Sequence, residues 1–330
     1  MTNTLPYETS VAFTEVDDSM HAAGPALDWT ETTWWSFNVP ERGLAGWLYV
    51  QTRPNLGLSS GGAFVYGPNT WAAWEAPYYA YFHHLPMPNP LDLRDVQFKN
   101  GVYVKMLEPG QSYDIGYRFR DQTEFTADLH FEGLTAPVPH LRGQPPFTGS
   151  SHYDQHGRVT GTLLLNGEKI PVDCISVRDR SWGRRPERIG MDVARLSYVF
   201  GSTSDDEAFL VFCQPPADDQ DADFESLSSG YLWRDGALRY LESATRRNLR
   251  DEATGGVSTI ELDAIDTDGR QLVVTGQAIS RLALHTSNLC VGTFMGFEVA
   301  SSPDGLTRTG YGEDQDVWPL ARYARRFSRQ

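Results

Sequence analysis

Short runs of alternating apolar and polar residues dominate this chain. In the first half, five such runs are rich in β-branched and aromatic residues and are bounded by Gly, Pro, Asn and Asp. This pattern is typical of half-buried β-strands and differs from the spacing of an amphipathic helix. The predicted strands are Trp34–Val39, Gly46–Gln51, Gln97–Met106, Tyr113–Phe119 and Glu124–Phe131.

The second half contains four predicted β-hairpins. In the first, Arg158–Leu165 is joined to Lys169–Val177 by Asn166-Gly167, a dipeptide that suits a type I′ turn. Gly-containing turns at residues 234–236, 266–269 and 301–305 separate the other strand pairs. Hairpins at this spacing favour a barrel or a sandwich. The one helix that we expect is a short one over Pro319–Phe327.

Chain length and a Pro-rich passage predict two domains. The 330 residues exceed the roughly 100–200 that one domain usually needs. Ala136–Ser151 is rich in Pro and Gly, which cannot continue a strand ladder, so it is predicted to be a linker. The expected fold is all-β, with two tandem antiparallel barrel or sandwich domains at residues 1–150 and 151–330. The acidic segment Asp218–Glu225 is expected to be a solvated loop.

Charge and composition exclude several classes of partner. The formal net charge of -15 argues against nucleic acid or an anionic membrane surface. Cys174, Cys213 and Cys290 lie in apolar runs, without metal or disulfide spacing, and are expected to be inert buried thiols. The N-terminal residues lack a signal peptide, and no apolar run has membrane length, so a cytoplasmic protein without stable membrane insertion is expected. The oligomeric state is left open.

No nucleotide cofactor is expected. The chain has no P-loop, no Gly-x-Ser-x-Gly elbow and no dinucleotide-binding glycine fingerprint between a strand and a helix.

Aromatic residues make up 12% of the chain and are crowded in the first hundred residues. Trp and Tyr often fill a core, which is one interpretation. However, residues 71–82 hold more aromatic surface than one strand face can bury, which favours the wall or mouth of a pocket for an apolar small molecule. The substrate-binding candidates in this region are Trp34, Trp71, Trp74, Tyr78, Tyr81 and His83.

The segment Arg178–Arg185 combines high charge density with a Trp-Gly pair. It could be a structural Arg–Asp network in which Trp182 fills the domain junction. Alternatively, Asp179 is a buried acid or base whose pKa is set by its arginine neighbours, with Trp182 facing the ligand. Flanking arginines favour a carboxylate, so Asp179 is expected to be ionised.

Two histidines and a carboxylate follow the predicted linker in Ser151–His156. In an extended segment, His152 and Asp154 lie on the same face. A metal site would need a third convergent ligand. His83, His84 and His130 could supply one only if the chain folds back, so no metal is predicted. Near the final hairpin, Glu298 is a candidate substrate contact, although carboxylates there are also typical of a solvated loop.

His152-Tyr-Asp-Gln, Asp179-Arg-Ser-Trp-Gly and Gly310-Tyr-Gly-Glu resemble the carotenoid 1,2-hydratase (hydroxyneurosporene synthase)-like proteins. The likeness covers residues 150–315 and is weak in the first half. It implies tandem lipocalin-like domains and cofactor-independent hydration of an isoprenoid double bond, and related proteins include cyclases. Trp182 matches the aromatic residue of the family and Tyr198 matches its tyrosine loosely. Arg180 stands where the hydratases usually have His.

These observations favour a cofactor-independent hydratase, dehydratase or isomerase of an apolar, terpenoid-like substrate. Alkene hydration passes through a carbocation-like state, which needs a strong acid, a dry pocket and aromatic faces. We expect His152 and Asp154 to transfer the proton, with burial keeping either Asp154 or a carboxylate of the second-domain barrel protonated. Asp179, Trp182 and Tyr198 are expected to shape and polarise the site. The alternatives are a non-catalytic lipid- or terpenoid-binding protein, and a pericyclase or cyclase that needs only a shaped cavity.

Overall fold

The structure is a computed structural model that describes residues 13, 15–140, 150–185, 195–285, 288–300 and 305–327. Antiparallel strands dominate it, and the all-β expectation is confirmed. One α-helix, α1 (Leu320–Phe327), forms where the short helix was predicted. Among the described residues, no helix combines the length and the apolar character needed to cross a membrane.

Eleven strands form one antiparallel sheet. Their order is β4-β3-β2-β1-β11-β10-β8-β7-β6-β5, and β9 pairs with β10 beside this path. The strands are β1 (Trp29–Val39), β2 (Leu44–Arg53), β3 (Leu58–Tyr66), β4 (Tyr78–Pro86), β5 (Asp95–Gln97), β6 (Val102–Glu108), β7 (Ser112–Arg118), β8 (Phe125–Gly133), β9 (Val138–His140), β10 (Ser150–Leu165) and β11 (Glu168–Arg184).

The remaining eight strands close into an antiparallel barrel in sequence order. They are β12 (Leu196–Ser204), β13 (Glu207–Gln214), β14 (Phe224–Arg234), β15 (Ala237–Arg250), β16 (Val257–Asp266), β17 (Gln271–His285), β18 (Leu289–Val299) and β19 (Arg308–Trp318).

The chain divides into two compact units. The sheet unit comprises Tyr7–Tyr66 and Ala76–Glu187, and the barrel unit comprises Gly67–Glu75 and Arg188–Gln330. The boundary expected near residue 150 does not coincide with this division, because β10 and β11 pair with β8 and β1 and complete the sheet. Of the predicted linker, residues 138–140 form β9, and residues 141–149 lie outside the described residues.

The sheet unit has a hydrophobic core on one face of the sheet. Trp35 on β1 packs against Tyr113 and Phe131 with ring centroids 5.1 and 5.2 Å apart. Because β1 is not a neighbour of the strands that carry these two rings, the contacts show that the sheet curves around this core. Because side chains alternate along a strand, every second side chain of these strands lies on the face of the sheet that is opposite this core.

The interior of the barrel contains both apolar and charged side chains. Phe209 packs against Phe297 across the barrel with ring centroids 5.5 Å apart. Arg246 reaches across to Asp314, with its Nη2 atom 2.7 Å from Oδ1. Glu225 is fully buried and accepts a hydrogen bond from Arg246, so the prediction of a solvated loop ending at Glu225 was wrong for this residue.

Candidate active site

Alternation along β11 separates Asp179 from its two arginine neighbours. The Arg178 guanidinium donates to Asp18 at 2.9 Å, and the Arg180 guanidinium donates to Glu31 at 2.9 Å. Both pairs are buried. Asp179 points to the other face of the sheet, as successive residues of a strand do. The expectation that flanking arginines hold Asp179 ionised was therefore wrong.

Asp179 instead belongs to a row of residues that crosses four strands. It lies opposite Trp34 of β1 and opposite Asp154 of β10. His152 is two residues before Asp154 on β10, on the same face, and lies opposite His140 of β9. Side chains that face each other in this way have Cβ atoms roughly 4.5–5.5 Å apart. Asp154, Asp179, His140 and His152 are called the carboxyl–histidine cluster below.

Asp154 is the buried centre of this cluster. Its Oδ2 atom lies 2.9 Å from His152 Nε2 and 2.7 Å from His140 Nε2. Burial opposes ionisation of Asp154, but the electrostatic attraction and the hydrogen bonds of the His152 and His140 imidazoles outweigh it and lower the pKa of Asp154 well below its usual range. The expectation that burial keeps Asp154 protonated was wrong, because Asp154 is ionised at neutral pH.

Asp179 has the opposite behaviour. Burial of the carboxyl raises its pKa to about 7, and the ionised Asp154 adds to this rise, while His152 and Arg185 oppose it. Among the described residues, no group donates a hydrogen bond to the buried Oδ1 atom. At neutral pH, a large share of Asp179 is therefore a carboxylic acid, which is the form that can donate a proton.

His140 was missed in the sequence because it lies in the passage interpreted as a linker. With His152 and Asp154, it forms a buried group whose nitrogen and oxygen atoms all lie within 4.8 Å of one another. Two imidazoles and a carboxylate are donors that transition metals and zinc accept. The 2.7 and 2.9 Å separations are also hydrogen-bond distances. His130 is elsewhere in the sheet unit, 3.0 Å from Asp114.

A wall of aromatic rings adjoins Asp179 on the same face. Trp34 contacts Trp47 with ring centroids 5.5 Å apart, and Trp47 contacts Phe64 at 6.1 Å. Phe64 stacks on Tyr81 at 5.9 Å, and Tyr81 contacts the exposed His83 at 4.7 Å. These five residues, here called the aromatic wall, extend from the neighbour of Asp179 to the surface. The structure thus brings together Trp34, Tyr81 and His83 of the predicted binding residues.

Gly62 allows two further rings to meet beside this wall. It lies between Tyr49 and Tyr81 in the register of β2, β3 and β4. The two tyrosine rings stack with centroids 6.4 Å apart. A Cβ atom at position 62 would lie 2.0 Å from the Ala80 carbonyl oxygen, which is far inside van der Waals contact. Only glycine fits here without a backbone shift.

Two predicted residues of the sheet unit lie on its other face. Trp182 stacks on His21 with ring centroids 4.0 Å apart, on the side of Arg178, so it does not face the same region as Asp179. Tyr78 is in the core, where its hydroxyl is 2.8 Å from that of Tyr117. Both side chains contribute to packing.

Four predicted residues belong to the barrel unit. Trp71 is partly buried, and its carbonyl accepts a hydrogen bond from Ala283. Trp74 is 86% exposed. Tyr198 is buried on β12. Glu298 is exposed on β18 rather than in a loop.

Comparison with known protein families identifies one matching family. The profile of the family described as "Domain of unknown function (DUF7064)" matches residues 14–313. No curated protein sequence matches the chain significantly.

Three solved structures share the architecture of the chain. A protein described as a candidate AttH from Nitrosomonas europaea has 16% identity and a TM-score of 0.56, with 87% of this chain and 91% of that one covered. Kievitone hydratase from Nectria haematococca has 13% identity and a TM-score of 0.57, with 88% and 89% covered. CghA has 9% identity and a TM-score of 0.56, with 89% of each chain covered. The chain has the tandem lipocalin-like fold and belongs to the DUF7064 family.

Proposed function

We propose that the protein is a cofactor-independent hydratase or dehydratase of an apolar, terpenoid-like substrate, in which Asp179 is the proton donor. One observation carries the proposal: a carboxyl group with a pKa of about 7 lies at the inner end of an aromatic wall. The fold shared with kievitone hydratase supports it as an analogy.

In hydration, the Asp179 carboxyl transfers its proton to one carbon of an alkene. The electrons of the π bond form the new C–H bond, and a cation develops on the more substituted carbon. Trp34 lies directly opposite Asp179 in the register, and the face of an indole attracts positive charge. A water molecule then forms the C–O bond. Dehydration of a tertiary alcohol is the reverse sequence.

The attacking water must lose a proton, and His152 is the proposed acceptor. The ionised Asp154 carboxylate, 2.9 Å from His152 Nε2, stabilises the imidazolium that forms. Asp154 also disfavours a second negative charge on Asp179. The two carboxyl groups thus take different parts, since their surroundings move their pKa values apart.

Turnover in heavy-oxygen water tests this proposal. The full chain is incubated with a panel of monoterpene and sesquiterpene alkenes and alcohols, and the extracts are analysed by gas chromatography with mass spectrometry. We expect a labelled alcohol from an alkene, or an alkene from a tertiary alcohol. Asp179→Asn should lower the rate by roughly 10²–10⁴-fold, the usual contribution of a general acid.

Asp173→Asn is the matched control, since Asp173 is an exposed residue of the same strand and pairs with Arg158. It should leave the rate unchanged. Recovery of only unchanged ligand would identify a non-catalytic binding protein and refute the proposal. Hydration or dehydration that Asp179→Asn does not slow would refute the role of Asp179, whereas an unlabelled cyclic isomer formed equally by the variant would favour a cyclase that relies on shape alone.

A further inference from the structure

Arg185 is the one arginine of the segment Arg178–Arg185 without an acidic partner among the described residues. The partners of the other three arginines are Asp18 for Arg178, Glu31 for Arg180 and Asp28 for Arg184. The Arg185 guanidinium donates a hydrogen bond to the Ser181 hydroxyl. Arg185 is only partly exposed, so its charge is not fully hydrated.

The surroundings of Arg185 lie on the face that carries Asp179. Ser181 is two residues beyond Asp179 on β11, and its hydroxyl is 2.6 Å from that of Thr32. Tyr49 lies opposite Trp34 on β2, and its hydroxyl is hydrogen-bonded to Arg185. Asp179 and Tyr49 are both partly exposed. Arg185, Tyr49 and the proposed acid Asp179 are therefore partly exposed on the same face, whereas Ser181, which accepts a hydrogen bond from Arg185, is buried beside them.

The Arg185 guanidinium has five N–H donors, and its hydrogen-bond partners in the described part of the chain are the neutral hydroxyl groups of Ser181 and Tyr49, so it can also donate to an anion. Arginine binds anionic oxygen groups through two parallel N–H donors, with a geometry that lysine cannot match. We infer that Arg185, positioned by the buried Ser181 hydroxyl and assisted by the Tyr49 hydroxyl, binds an anionic oxygen group of the substrate. This inference rests on the proposed function and narrows it: the substrate is an apolar skeleton that carries a carboxylate or a phenolate.

The position of Arg185 gives this contact a consequence for the acid. Its positive charge favours the ionised form of Asp179 and so opposes the rise that burial causes in the pKa. A bound anion offsets this charge, which increases the protonated fraction of Asp179. Binding of the anionic substrate group would therefore help to keep Asp179 in the protonated form that donates the proton.

Binding of matched ligand pairs to the full chain tests the inference. Farnesoic acid is compared with farnesol, and 2-geranylphenol with its methyl ether, by isothermal titration calorimetry. For the carboxylate, the wild type should prefer the acid to the alcohol by roughly tenfold to hundredfold, as a charge-assisted hydrogen bond provides. If the wild type prefers only farnesoic acid over farnesol, the substrate group is a carboxylate. If it prefers only 2-geranylphenol over its methyl ether, measured at pH 10, the substrate group is a phenolate.

Arg185→Gln should abolish the preference, and Arg185→Lys should restore part of it. Arg184→Gln is the matched control, because Arg184 is exposed and paired with Asp28. In the wild type itself, the preference for the acid should disappear below the pKa of farnesoic acid, a result that needs no variant.

Equal affinity for both members of each pair in the wild type would overturn the inference, as would a preference that survives in Arg185→Gln. The proposed function fails separately. Asp179→Asn should lose turnover but keep the preference for the anionic ligand. Full turnover in Asp179→Asn would refute the proposed acid and leave the anion site standing.

Discussion

Asp154 and Asp179 lie directly opposite each other on β10 and β11, and their carboxyl groups titrate in opposite directions. Two imidazoles hold Asp154 ionised, whereas burial keeps much of Asp179 protonated at neutral pH. Two negative charges on facing residues repel each other, so an ionised Asp154 beside a protonated Asp179 is favoured over two carboxylates.

Asp179→Asn should stabilise the fold at pH 8. The folded-state pKa of about 7 is above the ordinary value of 3.8, so the native state holds a proton that the unfolded state loses. Stability therefore decreases as pH rises from about 4 to 7. At pH 8, the variant should gain of the order of 1–3 kcal/mol in free energy of unfolding.

Urea denaturation at pH 8 and pH 4 measures this effect. The gain should shrink strongly at pH 4, where Asp179 is protonated in the native state. If the variant is equally stabilised at both pH values, ionisation of Asp179 does not destabilise the native state, and the prediction is wrong.

Asp154→Asn should move the pH profile of turnover. Hydration needs protonated Asp179, so the wild-type rate should fall as pH rises through about 7. Loss of the Asp154 charge removes one cause of the raised pKa of Asp179, so the fall should begin at a lower pH. His130→Gln, which alters a surface imidazole paired with Asp114, should leave the profile in place.

Asp18→Asn should destabilise the sheet unit strongly. The Asp18 carboxylate accepts hydrogen bonds from Arg178 at 2.9 Å and from the Tyr153 hydroxyl at 2.6 Å, and all three side chains are buried. Removing one partner of a buried ion pair typically costs about 3–5 kcal/mol. Thermal denaturation measures the loss, and Asp173→Asn should cost less than about 1 kcal/mol, since its pair is exposed.

Arg246→Met should destabilise the barrel unit. The guanidinium donates to Glu225 at 3.1 Å and to Asp314 at 2.7 and 2.9 Å, and no part of these three side chains is exposed. The substitution leaves two buried carboxyl groups without this cation, a change worth roughly 3 kcal/mol or more. Arg239→Met is the comparison, because Arg239 is exposed and pairs with Asp268. Equal effects of the two substitutions on chemical denaturation would contradict the prediction.

Gly62→Ala should weaken both the fold and ligand binding. The added Cβ would press against the Ala80 carbonyl oxygen and force β3 and β4 apart. We expect a loss of roughly 1–3 kcal/mol, as for other overpacking substitutions. Separation of the Tyr49 and Tyr81 rings should also reduce the affinity for apolar ligands, as measured by calorimetry. Gly167→Ala tests a glycine with open space at Cβ but a strained φ, and it should leave ligand affinity unchanged.

Local chemistry in the sequence predicts local structure well. Asn166 and Gly167 both adopt positive φ angles in the predicted hairpin turn, and α1 ends at the predicted residue. The buried Cys174 and Cys213 have raised pKa values, because burial disfavours the thiolate, as expected for inert buried thiols, whereas Cys290 is only partly buried.

Long-range pairing could not be predicted in this way. The predicted boundary near residue 150 assigned β10 and β11 to the second domain, since no pattern within them identifies β1 and β8 as their partners. The role of His140 also depends on pairing. The strand β9 is short and contains Pro, and only its pairing with β10 places His140 opposite His152. Strand alternation alone, however, could have shown that Asp179 faces away from Arg178 and Arg180.

The alternating order of Arg178, Asp179 and Arg180 makes this part of the chain intolerant of changes in length. Inserting or deleting one residue upstream in β11 would turn the carboxyl toward the core and present a guanidinium to the aromatic wall. The same change in the Asn166-Gly167 turn could be absorbed outside the strands. Natural variation in the length of this protein should therefore be confined to its turns, with β11 inherited as a segment of fixed length.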